Sequence, residues 1–353
     1  MDRAMTSLWD HPDFDDHEVV HFVTDAASGL KAIIAIHSTY RGPGDGGVRF
    51  WHYPQDDAAL TDALRLSRAM SFKSAMADLP VGGGKAVILA PPDRVKTPEL
   101  LAALGRAIEG LGGAYVAAKD VGITVADLVE VSQHTRHVSG LPAGAGLAGG
   151  DPGPPTAYGV YLGVKAAVHR VLGKKSLEGI RIAIQGAGSV GGGLARWAAK
   201  EGARLTIADL NVSRAETLAS ELGAVAVDAA DVMTMEADVF SPCALGAILS
   251  ERSIPLLRAP IVAGGANNQL ARPEDGDRLV ERGILHAPDY VINAGGIINV
   301  VLEHFRQASE DEVRERIEAI PGRLGVIWDE SDANGHSPAD VADAMAKGLI
   351  GRA

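Results

Sequence analysis

Two lysines, Lys73 and Lys85, give the first indication of chemistry. The run Asp78-Leu79-Pro80-Val81-Gly82-Gly83-Gly84-Lys85-Ala86-Val87-Ile88 sets three glycines before a lysine, so an ammonium can lie close against backbone. It is not a phosphate-binding P-loop, because the GxxxxGK(S/T) spacing is absent and Lys85 enters a strand rather than a helix. A lysine desolvated in a cleft near another cation has a lowered pKa and can act as a base. Lys73, which follows a helix-like segment, can supply that second charge. Taken singly, either lysine reads as a solvated surface residue.

A second constellation lies further on. Ile180–Gln185 leads into Gly186-Ala187-Gly188-Ser189-Val190-Gly191, and helix-forming residues follow. A bare GxGxxG is weak, but this one follows a strand, opens a helix and has Asp209 at the end of the next strand, which is the context of a dinucleotide fingerprint. Gly186 permits the tight turn, Gly188 lets backbone reach a pyrophosphate, and Gly191 allows close helix–strand packing. The helix N-terminus then favours the phosphates. Asp209 would accept hydrogen bonds from the adenosine ribose and repel a 2′-phosphate, so NAD is expected over NADP. The plainer reading of Asp209 is an N-cap for the following helix.

Alternating elements are needed to hold these groups. Residues 18–24 and 30–37 read as strands of a hairpin, and 56–70 as a helix with Leu60, Ala63, Leu64 and Ser67 on one face. A helix starts at Thr97-Pro98-Glu99 between strands at 85–90 and 114–118, a βαβ pattern. Thr124 and Asp127 resemble a capping box. Residues 141–155, rich in Gly, Pro and Ala, read as a hinge or loop between domains. Strand and helix then alternate over 180–185, 189–201, 204–209, 212–222, 237–240, 260–263 and 289–292, which predicts a doubly wound parallel sheet. Charged helices are expected at 310–319 and 337–349.

Bulk properties agree with this reading. With 353 residues, two domains are the natural expectation. The net charge of −12 argues against broad nucleic-acid or anionic-membrane contact. No apolar run is long enough to span a bilayer, and the first residues lack a signal-peptide pattern. The single cysteine, Cys243, excludes an intrachain disulfide framework and fits the cytoplasm. Among the 42 glycines are clusters at 82–84, 144–153, 186–193, 264–265 and 295–296.

Several stretches together resemble the Glu/Leu/Phe/Val amino-acid dehydrogenase family, nearest its leucine dehydrogenase branch. They are Gly46-Gly47-Val48-Arg49, Met70–Lys73, Gly82–Ile88, Lys119–Gly122, Gly150–Pro152, Thr156–Val160, Ser241–Gly246, Ala266–Leu270 and Ala287–Gly296. The resemblance implies an α/β chain of two domains around a cleft. Residues 1–148 would be the substrate, catalytic and oligomerisation domain, with a C-terminal helix at about 325–353 returning to it. Residues 149–324 would be the NAD-binding Rossmann domain. The implied reaction is reversible oxidative deamination of an L-amino acid to a 2-oxo acid and ammonia. Lys73 would hold the α-carboxylate near Gly46 and Gly47, Lys85 would activate water as general base, and Asp120 would shuttle protons to and from the amine. Asn267 or Asn268 and Asn293 would position substrate and nicotinamide. Thr156 would lie near the nicotinamide amide, with Cys243 and Ala244 at the cofactor. The resemblance also implies a homo-oligomer, and the 18–37 hairpin offers an edge for a second chain. Outside this reading, Asp120 is a loop-capping aspartate and the asparagines are turn residues.

The side-chain pocket departs from the family. Asp45 stands where the leucine branch has an apolar residue and glutamate dehydrogenases a lysine, and Lys119 stands where the leucine branch has Glu. Asp45 and Lys119 pairing would leave an aliphatic pocket lined by Ala118, Ile297 and Val300, suited to leucine or another branched-chain substrate. Unpaired, Asp45 would favour a basic or hydrogen-bonding substrate, and an aromatic one is the third option. Two other classes compete with an amino-acid dehydrogenase: a hydroxy-acid oxidoreductase and a non-catalytic NAD-binding protein. The first usually needs a His with an acidic partner or a metal, and no metal-ligand spacing is present. The second would need a lost catalytic group, whereas Lys73, Lys85 and Asp120 are all in place.

Overall fold

The computed structural model describes residues 7–93, 95–142, 146–244, 246–306 and 308–352. The chain forms two compact units. The first holds residues up to Gly150, Val300–Ser309 and the chain from Ala346 onward; the second holds Asp151–Asn299 and Glu310–Met345.

In the first unit the expected hairpin forms from β1 (Val19–Asp25) and β2 (Leu30–Ser38), with Asp25 opposite Leu30. There follow β3 (Gly44–Trp51), α1 (Asp56–Met76), β4 (Gly82–Leu89), α2 (Pro98–Gly110), β5 (Tyr115–Lys119) and α3 (Val125–Ser132). The sheet runs β1-β2-β4-β3-β5, and β3 lies parallel between β4 and β5. Helix α2 begins as its sequence demands: the Thr97 side chain accepts the Leu100 N–H, and Pro98 occupies the first turn, where an N–H is dispensable. Leu100, Leu104 and Ile108 are buried with Ile34, Val48, Phe50, Ile88 and Leu128. Leu60, Ala63 and Leu64 of α1 bury a separate cluster with Ile33, Ala35 and Val87. Each such large aliphatic side chain contributes about 1.5–3 kcal/mol on burial. Thr124 and Asp127 form the reciprocal capping box.

The second unit contains α4 (Gly153–Leu172), β6 (Arg181–Gln185), α5 (Ser189–Lys200), β7 (Arg204–Ala208), α6 (Val212–Leu222), β8 (Val225–Ala226), β9 (Val239–Pro242) and β10 (Ile261–Val262). It continues with α7 (Asp275–Glu281), β11 (Leu285–His286), α8 (Asp289–Ile292), the start of α9 (Gly295–Arg306), α10 (Glu310–Ile317), α11 (Ile320–Asn334) and most of α12 (Pro338–Leu349). All six strands are parallel, in the order β11-β10-β9-β6-β7-β8. The chain winds outward from β6 to β8 and then returns to β9 on the other side. The switch point between β6 and β9 is where such sheets bind ligands.

Some expectations needed revision. Helix α1 continues to Met76, so Lys73 lies in its last turn. Strand β4 begins at Gly82, which puts Lys85 inside the strand. The irregular stretch expected over 141–155 ends at α4, whose first turn absorbs Pro154 and Pro155; residues 143–145 lie outside the described residues. Asp289–Ile292 is one turn of helix. Residues 1–6 and Leu245, which the leader and 241–246 readings include, also lie outside the described residues. Among the described residues no helix is long and apolar enough to cross a membrane.

Candidate active site

Lys85 projects from β4 with only 6% of its side chain exposed, and its Nζ donates to Asp120 Oδ2 at 2.6 Å. Asp120 directly follows β5. Arg49, on β3, donates from Nε to the same oxygen at 3.0 Å. Its other end donates to Asp62 Oδ2 at 2.8 Å, and the Tyr53 hydroxyl donates there at 2.6 Å. Two cations and two carboxylates thus form one chain across β3, β4, α1 and the end of β5. Burial pushes the Lys85 ammonium below the usual lysine range, and the Asp120 carboxylate only partly offsets this. Burial alone would raise Asp120, but the charges of Lys85 and Arg49 outweigh it and hold the carboxyl below its ordinary value. Because Arg49 stays charged, Asp120 keeps a cationic partner when Lys85 gives up its proton.

The glycines explain how close these groups come. A Cβ on Gly47 would lie 2.6 Å from Asp120 Cβ, so only glycine admits the aspartate there. The Gly46 carbonyl accepts the Tyr115 hydroxyl at 2.6 Å, fixing the neighbouring backbone. Lys73 is half-buried in the last turn of α1, and that helix end rests on the start of β4, where the Ser74 hydroxyl donates to the Gly82 carbonyl at 3.2 Å.

Register decides the fate of the Asp45–Lys119 pair. Between the parallel strands β3 and β5, Asp45 lies opposite Val116, Gly47 opposite Ala118 and Val48 opposite Lys119. Partners share a face and successive residues alternate, so Asp45, Gly47, Val116 and Ala118 point one way and Lys119 the other. Lys119 is exposed, whereas Asp45 is 1% exposed and both its carboxylate oxygens lack a hydrogen-bond partner. The expected pairing is therefore not made. Ser139 lies near Asp45, but its hydroxyl donates to the Ala117 carbonyl at 3.4 Å. Burial, reinforced by the charge of Glu303, pushes Asp45 up to about 7. Glu303 accepts the Gly140 N–H at 2.6 Å, and Val300, one turn earlier on α9, lies beside Gly140. Ile297, on the same helix, is 6% exposed and belongs to the second unit.

In the second unit the glycine-rich turn sits at the switch point. Gly186 has φ +102°, and a Cβ on Gly191 would lie 1.9 Å from the Gly186 carbonyl oxygen, so both positions require glycine. Gly188 is the N-cap of α5, which Ser189 and Val190 open. Asp209 Oδ2 accepts the Ala187 N–H and its Oδ1 the Asn211 N–H, each at 2.8 Å. It does not cap α6; Asn211 does, accepting the Arg214 N–H. Arg214 Nη1 lies 3.6 Å from Asp209 Oδ2. Ala187, Asn211, Ser213, Arg214 and Thr217 line a pocket there.

The remaining predicted positions lie in the same unit. The Cys243 N–H donates to the Gln185 carbonyl at 2.7 Å, its Sγ accepts the Gly265 N–H at 3.4 Å, and Ala244 follows beside Gly186. Asn293 Nδ2 donates to Asn267 Oδ1 at 2.8 Å and to the Gly265 carbonyl at 3.2 Å, leaving a buried Oδ1 without a partner. Asn268 is exposed with φ 52°, a conformation asparagine tolerates. The Thr156 hydroxyl donates to the Pro152 carbonyl at 2.8 Å and packs where a Cβ on Gly296 would be. A carbonyl oxygen awaiting a donor, a glycine turn at a helix start and a carboxylate after β7 fit a nicotinamide dinucleotide. The sequence reading gave no role to Arg49, Asp62, Tyr53, Ser139 or Glu303. Only Arg49 carried a signal, since it closes the Gly46–Arg49 stretch.

A doubly wound dinucleotide sheet in one unit and a buried lysine–aspartate pair in the other define a two-domain α/β oxidoreductase. Residues 17–137 match the Glu/Leu/Phe/Val dehydrogenase dimerisation domain, and residues 207–325 match the Glutamate/Leucine/Phenylalanine/Valine dehydrogenase domain. The chain is 44% identical to leucine dehydrogenase of Bacillus subtilis, covering 96% of this chain and 92% of that one. It is 42% identical to L-tryptophan dehydrogenase of Nostoc punctiforme, covering 95% of this chain and 93% of that one. The crystal structure of a Nostoc punctiforme L-tryptophan dehydrogenase superposes with a TM-score of 0.83 over 95% of this chain and 96% of that one, at 40% identity. The hetero-hexameric glutamate dehydrogenase of Thermus thermophilus, at 23% identity and a TM-score of 0.75 over 95% of this chain and 88% of that one, shares the fold. The chain belongs to the Glu/Leu/Phe/Val dehydrogenase family. It is an amino-acid dehydrogenase, an oxidoreductase acting on CH–NH2 groups.

Proposed function

We propose that the enzyme catalyses the NAD-linked, reversible oxidative deamination of an L-amino acid, with leucine or another branched-chain amino acid as substrate. The observation that carries this reading is the Lys85–Asp120 pair at 2.6 Å, closed by Arg49. Lys73 binds the substrate α-carboxylate. Lys85, whose ammonium is destabilised by burial, takes a proton from the water that attacks the imino carbon. Asp120, held ionised by Arg49, receives a proton from the amine and returns it as ammonia leaves. Bound NAD supplies the hydride acceptor. The glycine turn at Gly186–Gly191 accommodates its pyrophosphate, Asp209 its adenosine ribose, and Asn293 Oδ1 a donor of its carboxamide.

The aliphatic assignment is supported by the leucine dehydrogenase relative, by Val116 and Ala118 on the Asp45 face of the sheet, and by Val300 beside Gly140. The aromatic reading is favoured by one observation, the comparable identity to a tryptophan dehydrogenase. Assembly as a homo-oligomer is supported by the dimerisation-domain match and the exposed edge strand β1. The test is ammonia-dependent NADH oxidation with 4-methyl-2-oxopentanoate, and NADH formation with L-leucine. Absence of both, across a panel of 2-oxo acids and amino acids, would sink the proposal.

A further inference from the structure

Near the reacting groups the first unit holds more negative charge than the reaction uses. Lys85 and Arg49 are matched by Asp120 and Asp62. Asp45 and Glu303 are left over. Asp45 is buried with neither oxygen hydrogen-bonded, and Glu303 is half-buried and held by backbone N–H groups of Gly140 and Leu141. Neither has a cationic partner of its own among the described residues, and Lys119 faces away from Asp45. The Glu303 charge lies close enough to disfavour ionisation of Asp45. Val116 and Ala118 share the Asp45 face of the sheet, and Val300 lies beside Gly140, whose N–H Glu303 accepts.

Buried carboxylates without partners are costly, and a cation that satisfies them gains correspondingly. We propose that Asp45 and Glu303 form an acidic subsite that receives the cationic tip of a substrate side chain, so that the enzyme oxidises L-lysine or L-ornithine as well as aliphatic amino acids. This rests on the deamination chemistry proposed above. Val116, Ala118 and Val300 contact the methylene stem, as they would contact the side chain of leucine. Asp45 has no hydrogen bond to break when it turns to meet the ammonium. A neutral donor such as an indole N–H would satisfy one lone pair and leave two carboxyls without a counter-ion.

The test measures kcat/KM with NAD at pH 8.5 or above for L-leucine, L-lysine, L-ornithine and L-tryptophan on the full chain. The expected result is turnover of L-lysine or L-ornithine, with the ratio of that kcat/KM to the value for L-leucine falling roughly 30-fold or more in Asp45→Leu. Glu303→Gln lowers the same ratio less. If Asp45→Leu does not fold, the near-isosteric Asp45→Asn gives the same reading. An unchanged ratio in both the Asp45 and Glu303 variants overturns the inference, as does a variant that changes only the tryptophan-to-leucine ratio. A wild-type enzyme active on leucine and inactive on both cations overturns it too, while leaving the deamination proposal standing. Inactivity on every amino acid overturns that proposal instead.

Discussion

Lys85 and Arg49 meet on a single oxygen, Asp120 Oδ2, at 2.6 and 3.0 Å. This shared contact couples the two titrations on which the proposed deamination mechanism rests. Arg49 repels the Lys85 ammonium and so helps lower its pKa, and it attracts the Asp120 carboxylate and so lowers that one too. Removing the guanidinium moves both upward. Arg49→Gln is expected to shift the pH profile of deamination kcat/KM toward higher pH and to lower kcat by about 10- to 100-fold. Profiles that superimpose would show that Arg49 serves only to hold Asp62.

The glycine-rich turn and its helix were legible because their requirement is local. Gly186 needs a left-handed φ and Gly191 a close approach, and each marks itself in the sequence. Strand β3 was not legible. Gly44, Gly46 and Gly47 are poor strand formers, and the strand exists because β4 and β5 pair with it on both sides. Without β3 there was no register, and without register no way to see that Asp45 and Lys119 face opposite ways. Glu303 was hidden for another reason: a helix 254 residues beyond Arg49 brings it to the Ser139–Gly140 backbone, and no spacing rule anticipates that.

Asp45 ties stability to pH. Its folded pKa of about 7 lies above the 3.8 of an exposed aspartate, so the native state binds the proton more tightly. The native state is therefore most favoured by this group below about pH 4, and loses that contribution as pH rises through 7. The loss is on the order of a few kcal/mol. Asp45→Asn removes the ionisation. Chemical denaturation at pH 5 and pH 8.5 should show the variant gaining on the wild type at the higher pH. A constant difference between the two would mean that Asp45 is not titrating in this window.

Asp209 has partners of two kinds. It accepts two backbone N–H groups at 2.8 Å, shaping the glycine turn, and stands 3.6 Å from Arg214. On the proposed NAD reading, replacing it with serine removes the negative charge that would oppose a 2′-phosphate and frees Arg214 to meet one. Asp209→Ser is expected to raise KM for NAD about 10-fold and to shift the NADP-to-NAD ratio of kcat/KM toward NADP. Should the ratio stay fixed while both KM values rise, Asp209 would matter only to the turn.

Arg352 closes the first unit from the far end of the chain. Its guanidinium donates to the Asp15 carbonyl at 2.6 Å, to the Asp16 carbonyl at 2.8 Å, to the His37 carbonyl at 2.6 Å and to His37 Nε2 at 2.7 Å. Asp15 Oδ2 also lies 3.2 Å from His37 Nε2 and favours the protonated ring, but burial and the closer Arg352 outweigh it. Arginine has only donors, so Nε2 presents a lone pair and a neutral His37 directs Nδ1–H to Ser71 Oγ at 2.8 Å. Burial and the Arg352 charge bring His37 down to about 3, from 6.5 when exposed. A lowered folded pKa means that the stability it represents is present above pH 6.5 and is lost as pH falls toward 3. Arg352→Ala removes these four hydrogen bonds and should cost about 2–4 kcal/mol at pH 7.5. It also removes a charge that opposes protonation, so His37 in the variant titrates nearer its ordinary value and loses less on acidification. The gap in Tm between wild type and variant should therefore be widest near neutrality and narrow toward pH 4. A gap that is absent at pH 7.5, or that does not narrow with acid, would separate Arg352 from His37 and leave the C-terminus with no part in holding β2.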